Sequence, residues 1–162
     1  MAKGKKSAGI LAYRIKDAAL EVLLVHPGGP FFAKKDIGTW SIPKGEFEED
    51  EDALAAAKRE FLEETGYELG GSFRPLSPIV LKAGKTVFAW AIEQDINTAL
   101  CKSNTFELEW PHRSGKHQSF PEVDKAEWFQ TSTAIEKINA AQVALIHELI
   151  NILDHAGSKV TL

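Results

Sequence analysis

Cysteine is almost missing from this chain, with Cys101 the single one among 162 residues. One thiol cannot close an internal disulfide, and no cysteine cluster of the metal-binding kind occurs, so a reducing, cytoplasmic setting is expected. Any apolar run near the roughly 20 residues that cross a bilayer is also missing. The basic start Met1–Ser7 leads only into the short stretch Ala8–Ala12 before Tyr13 and Arg14, too brief for a signal peptide. No membrane partner is expected. Nor is there an excess of positive charge: the net charge is −4, and without a basic stripe a nucleic-acid partner is disfavoured. Repeats and low-complexity segments are lacking too. At 44% hydrophobic and 26% charged residues the composition is that of a globular protein, and the length suits a single domain over 1–162.

The charge that is present is unevenly placed. Between Glu46 and Glu64 nine acids face only Lys58 and Arg59, a net of −7, so the rest of the chain carries +3. A concentrated acidic segment in a mildly basic molecule suits a cation site facing an anionic substrate, although a solvated helix face has the same composition.

Ser7–Arg14 and Leu20–His26 are apolar and branched, separated by Lys16-Asp17, and read as two neighbouring strands. The Gly- and Pro-rich stretch from His26 to Asp36 predicts a surface loop, with a short strand resuming at Thr39–Ile42. A helix is expected over about 51–64, ended by Gly66. Phe73–Leu81 and Thr86–Gln94 flank Ala83-Gly84-Lys85 and read as a hairpin whose second strand is apolar on both faces, hence covered on both. Asp95–Pro121 is expected to be irregular apart from a short strand at Phe106–Trp110. Lys125–Thr131 reads as a strand, Thr133 and Glu136 as a capping box, and Asn139–His155 as a helix with one apolar face. Two helices and strands before, between and after them predict a mixed sheet sandwiched between helices.

On a helix of 3.6 residues per turn, Glu60, Glu63 and Glu64 crowd one face, while Leu54 and Phe61 occupy a neighbouring face that can anchor it to the sheet. Like charges at this spacing repel by about 0.2–0.5 kcal/mol per pair. Hard carboxylate oxygens beside a phosphate path suit Mg²⁺, with Mn²⁺ as a substitute, since Mg²⁺ keeps several waters and completes its shell with substrate phosphates.

From Gly45 the chain runs Gly, five residues, Glu51, seven residues, then Arg59-Glu-Phe-Leu-Glu-Glu-Thr-Gly-Tyr67. This resembles the full Nudix box over 45–67, with Gly45, Glu51, Arg59, Glu60, Glu63, Glu64 and Gly66 at its seven defining positions. At about 5–7% usage per residue type, seven matches would arise by accident with odds on the order of 10⁻⁷. Phe61 and Tyr67 stand where the family prefers bulky aliphatic residues. The resemblance implies a Nudix-type α/β/α sandwich with a mixed β-sheet between helices, an enzyme acting on phosphorus-containing acid anhydrides. It also implies Glu60 and Glu64 as main metal ligands, Glu63 as a further ligand or water contact, and the Lys44 carbonyl completing the site. Arg59 and Glu51 would form a supporting ion pair, and the general base would be Glu60, Glu63 or, outside the box, Glu122.

Ser7–Arg14, Thr39–Glu46, Gly84–Trp90 and Glu127–Phe129 look like the diadenosine polyphosphate hydrolase branch, which splits a dinucleoside tetraphosphate asymmetrically. Hydrolysis of nucleoside triphosphates, nucleotide sugars or diphosphoinositol phosphates is the alternative, and a non-catalytic nucleotide-sensing module a remoter one. The expected partner is a small-molecule nucleotide or phosphoanhydride, handled by a monomer or homodimer. Lys44 and Lys85 are candidate phosphate contacts, against the alternative of solvated lysines. Trp110–Lys116 brings an aromatic together with Arg113 and Lys116, enough for a base stack and a phosphate clamp, or else an ordinary surface loop. Phe31 and Phe32 either stack on a base or pin their own loop. Trp40 reads as core, the five histidines as structural or surface, and Cys101 as inert.

Overall fold

The computed structural model describes residues 5–155, so the first four residues of the basic start and the segment 156–162 lie outside it. Strand β1 (Lys6–Lys16) turns at Asp17 and Ala18, both with positive φ, into β2 (Ala19–Pro27). Positive φ at both centres is the turn geometry whose twist matches a two-residue hairpin. β3 (Lys44–Glu46) precedes helix α1 (Ala53–Thr65). Two-residue strands β4 (Arg74–Pro75) and β5 (Ile79–Val80) lead to β6 (Thr86–Glu93). β7 (Thr105–Glu109) and β8 (His117–Pro121) follow, then β9 (Val123–Gln130), α2 (Thr131–Lys137) and α3 (Val143–His155).

The main sheet runs β4-β6-β1-β2-β9, parallel only between β1 and β6. β1 changes partner along its length: Tyr13–Lys16 pairs with β2, whereas Ser7–Gly9 pairs with β3. That splay brings Gly45 and Lys44 over the end of β1, close to α1.

Alternation along the strands sorts the apolar side chains into two layers. Ala8, Ile10, Ala12, Leu23 and Ile92 pack with Ala56, Ala57 and Phe61 of α1. Leu11, Leu20, Val22, Leu24, Ala89 and Ala91 pack with Ala134, Leu145, Ile146 and Leu149 of α2 and α3. The result is the expected α/β/α sandwich around a mixed sheet. β6 is covered on both faces, and Trp40 is buried, as read from the sequence. No described helix is long and apolar enough to cross a membrane.

Several local expectations need correction. Thr39–Ile42 is no strand: Trp40 and Ser41 make only isolated bridges, because their backbone groups bond to residues of different elements, Lys137 and Val25. Phe73–Leu81 is broken into two fragments, since Pro75 and Pro78 lack the N–H that a continuous ladder needs. The segment after Asp95 contains a β7–β8 hairpin forming its own two-stranded sheet, preceded by a 3₁₀ turn at Thr98–Leu100. Among the described residues three α-helices stand where two were expected. The first turn of α2 begins at Thr131, with Gln130 at the cap position and no side-chain cap bond, so Thr133 and Glu136 form no capping box. Asn139 instead caps a 3₁₀ turn, Ala140–Gln142, ahead of α3.

Candidate active site

Helix α1 is set by both of its ends. The Asp52 carboxylate accepts the Ala55 N–H, and Gly66, at φ 76°, returns its N–H to the Leu62 carbonyl. Phe61, fully buried, fixes the rotation of the helix against the sheet. With that face inward, Glu60 and Glu64 are carried to the boundary between core and cleft, each only 9% exposed.

Arg59 ties the surrounding carboxylates together. Its Nε and Nη2 donate to Glu51 Oε2 and Oε1 at 3.0 and 3.2 Å, while Nη1 donates to Glu60 Oε1 at 2.9 Å and Glu63 Oε1 at 3.3 Å. A planar guanidinium suits such a fork, which a lysine could not reproduce. The Glu51 bonds pin the 46–52 loop to the helix and raise the Arg59 pKa.

Glu64 faces the cleft with one weak partner, the backbone N–H of Lys44, 3.3 Å from its Oε2. Burial first, then the charge of Glu60, pushes the Glu64 carboxyl up to about 8. Glu60 is raised by burial and by Glu63, with Arg59 opposing. Glu122, between β8 and β9, joins the group: burial and Glu63 raise its pKa, and it raises those of Glu60 and Glu64. The Lys44 amine is depressed by burial and by neighbouring Lys85, with Glu64 and Glu60 acting in the other direction.

A cleft of about 320 Å³ has Lys44, Glu64, Glu122, Phe32, Asn139 and Gln142 in its lining. The structure thus brings Lys44, Glu64 and Glu122 to one opening; Glu60 and Glu63 do not line it and act on Glu64 and Glu122 through their charge. Lys85 does not line the cleft; its ammonium is 3.1 Å from Glu46 and acts on the Lys44 amine through its charge. Arg113 and Lys116 lie at the tip of the β7–β8 hairpin and do not line the cleft. Asn139 and Gln142 were missed by the sequence reading. Nothing local distinguishes them, because they reach the cleft from the far end of the chain: Gln142 accepts the Ile42 N–H at 3.0 Å across 100 positions. His26 is structural, with its ring nitrogens 2.7 Å from Asp124 Oδ1 and the Lys35 carbonyl.

Among the described residues no three acidic, histidine or cysteine side chains are already gathered to grip an ion. The donor chemistry nevertheless fits a divalent cation. Two buried carboxylates, each made costly by burial and by its acidic neighbours, are what a hard cation would relieve. Glu60 and Glu64 would hold it, with Glu63 and Glu122 alongside. Bound there, such an ion supplies charge neutralisation at phosphate oxygens and a more acidic water.

The NUDIX domain family model matches residues 5–149. The chain belongs to the Nudix family. It is accordingly a Nudix hydrolase, with every defining carboxylate of the box in place. No curated protein matches the sequence. Among solved structures, the NUDIX domain of Shewanella oneidensis NrtR, complexed with ADP ribose, superposes with a TM-score of 0.68 at 16% identity, covering 94% of this chain and 90% of that one. The C. elegans Ap4A hydrolase in a binary complex gives 0.62 at 22% identity, covering 93% and 98%. A MutT/nudix family protein from Listeria innocua gives 0.61 at 14%, covering 97% and 98%. These likenesses show the fold.

Proposed function

We propose that this Nudix hydrolase uses Mg²⁺, with Mn²⁺ as a substitute, to hydrolyse a dinucleoside polyphosphate such as diadenosine tetraphosphate, releasing a triphosphate and a monophosphate. One observation carries the reading: a cleft bordered by the buried carboxylate of Glu64 is also lined by Lys44 and the aromatic Phe32. Metal, phosphate and base thus have complementary neighbours within one opening. The resemblance of the flanking segments to the diadenosine polyphosphate branch supports the substrate class. At about 320 Å³ the cleft is near the lower end of ligand sites, roughly 300–1,000 Å³. A volume of that size suits one nucleoside of such a substrate, and the other would lie outside the cleft.

In this proposal Glu60, Glu63, Glu64 and the Lys44 carbonyl serve the metal. Arg59 and Glu51 hold the loop, and Lys44, Lys85, Arg113 and Lys116 neutralise phosphates. Glu122, displaced from the box and lining the cleft with Glu64, would accept the proton of the attacking water, with Glu60 or Glu63 the other candidates. Positioning and charge stabilisation supply nearly all catalysis in phosphoryl transfer. Nucleotide sugars are the second reading, favoured by the likeness to a Nudix domain complexed with ADP ribose.

The test is hydrolysis of a phosphoanhydride panel with Mg²⁺ in heavy-oxygen water, the labelled fragment being found by mass spectrometry. Label in a monophosphate or triphosphate from diadenosine tetraphosphate is expected. Two equal diphosphate products refute asymmetric attack, and a more than tenfold preference in kcat/KM for nucleotide sugars puts the second reading first.

A further inference from the structure

The loop that follows β2 does not stand on its own. Gly28 donates its N–H to the Glu122 carbonyl at 2.9 Å, and a Cβ at Gly28 would fall 1.9 Å from the Pro121 carbonyl oxygen, so the loop's first residues lie directly on the end of β8. A Cβ at Gly29 would fall 3.0 Å from the Phe106 ring of β7. Two residues on, the Phe31 ring meets Trp110 edge-on, with centroids 5.3 Å apart and planes at 80°. Phe31 is still 59% exposed, so core burial does not hold this ring in place. The adjacent residue, Phe32, enters the cleft wall.

We infer that the β7–β8 hairpin is a specificity element: Trp110, acting through Phe31, positions Phe32 as a stacking wall for a nucleobase. Consecutive residues of an extended or turning chain point different ways, so capturing one aromatic ring on the hairpin fixes the direction of the next. The hairpin base already serves the reaction side of the cleft, because Glu122 follows β8 directly and its N–H donates to the Asn104 carbonyl at 2.8 Å. One appended two-stranded sheet therefore sets both a carboxylate and an aromatic wall. Trp110 does not line the cleft; it is a positioning residue, and its effect falls on recognition of the base and not on the phosphates.

The inference rests on the proposed nucleotide substrate, and competitive inhibitors separate the two. Inhibition constants with Mg²⁺ are measured for ATP, which carries a base, and for inorganic tripolyphosphate, which does not. Base–aromatic stacking commonly strengthens binding by about fivefold or more. Trp110→Ala, Phe31→Ala and Phe32→Ala should each weaken ATP about fivefold or more and leave tripolyphosphate within about twofold. Trp110→Phe should restore most of the difference. The Trp110→Ala/Phe31→Ala double variant should be no weaker than the worse single one, since both act through one contact. Thermal melts accompany each variant, and Phe31→Ala, on an exposed ring, keeps the test open if Trp110→Ala fails to fold. Unchanged ATP inhibition, equal weakening of both inhibitors, or additive single effects overturns the positioning role. A wild-type enzyme that neither hydrolyses base-bearing anhydrides nor is inhibited by ATP overturns the nucleotide reading itself, and this inference with it.

Discussion

The carboxylate of Glu60 fills the space that any side chain at Gly45 would need: a Cβ there would lie 2.1 Å from Glu60 Cδ and 2.2 Å from Oε2. The φ of Gly45 is not positive, so the backbone tolerates alanine and only the side chain is refused. Gly45→Ala should therefore displace Glu60 while leaving the fold intact. The expected outcome is a kcat loss of about 10²-fold, or about 2.7 kcal/mol of barrier. Mg²⁺ affinity should weaken with it, and metal-free melting should shift by only a few degrees. Steady-state rates and melts with and without Mg²⁺ check this.

Glu64→Gln keeps size and polarity while removing a carboxyl whose ionisation is opposed by burial and by the charge of Glu60. Metal-free stability should stay about equal below pH 8, where Glu64 is protonated, and rise above it, where the variant removes a repelling charge that is carried for function. Activity should fall at least about 10²-fold. A fully active variant with unchanged stabilisation by Mg²⁺ would rule out Glu64 as a ligand.

The same residue predicts a pH dependence. Its folded pKa, about 8, lies above the ordinary glutamate value of 4.5. Between those values the folded state binds the extra proton, so the Glu64 contribution to stability is fully present below about 4.5 and is lost as pH rises through 8. Melting of the protein in a chelator should fall across that window, and Glu64→Gln should flatten the slope. Mg²⁺ requires the ionised carboxylate, so its affinity should climb over the same range. Calorimetric titration at pH 6 and pH 8.5 reads this directly.

Arg113→Ala and Lys116→Ala should raise KM more than they lower kcat for a dinucleoside polyphosphate. Cations that hold remote phosphates bind ground and transition states alike. Unchanged KM in both variants would make the hairpin tip an ordinary surface turn.

Read without its fold, the chain already specified its box and its layered architecture. Glu60, Glu63 and Glu64 share a helix face by period alone, and Gly66 ends that helix with a left-handed φ, while the Asp52 cap at its start was not read from the sequence. Alternation in β1, β2 and β6 likewise requires two apolar layers. Such information lies within one or two turns of chain, where periodicity and capping operate.

Where pairing or placement depended on distant partners, the sequence pattern was insufficient. Thr39–Ile42 has strand composition, yet its backbone groups are divided between β2 and the end of α2. The β7–β8 hairpin lies in a polar stretch with little apolar alternation, and its contacts with Phe31 and Gly29 are made across more than 70 positions. Glu122 is one acid among 23 acidic residues until Gly28 and Asn104 fix its backbone beside α1. The chemical groups were readable because local geometry places them; the cleft they share exists only once the strands have paired, since its walls come from segments that long-range packing alone brings together.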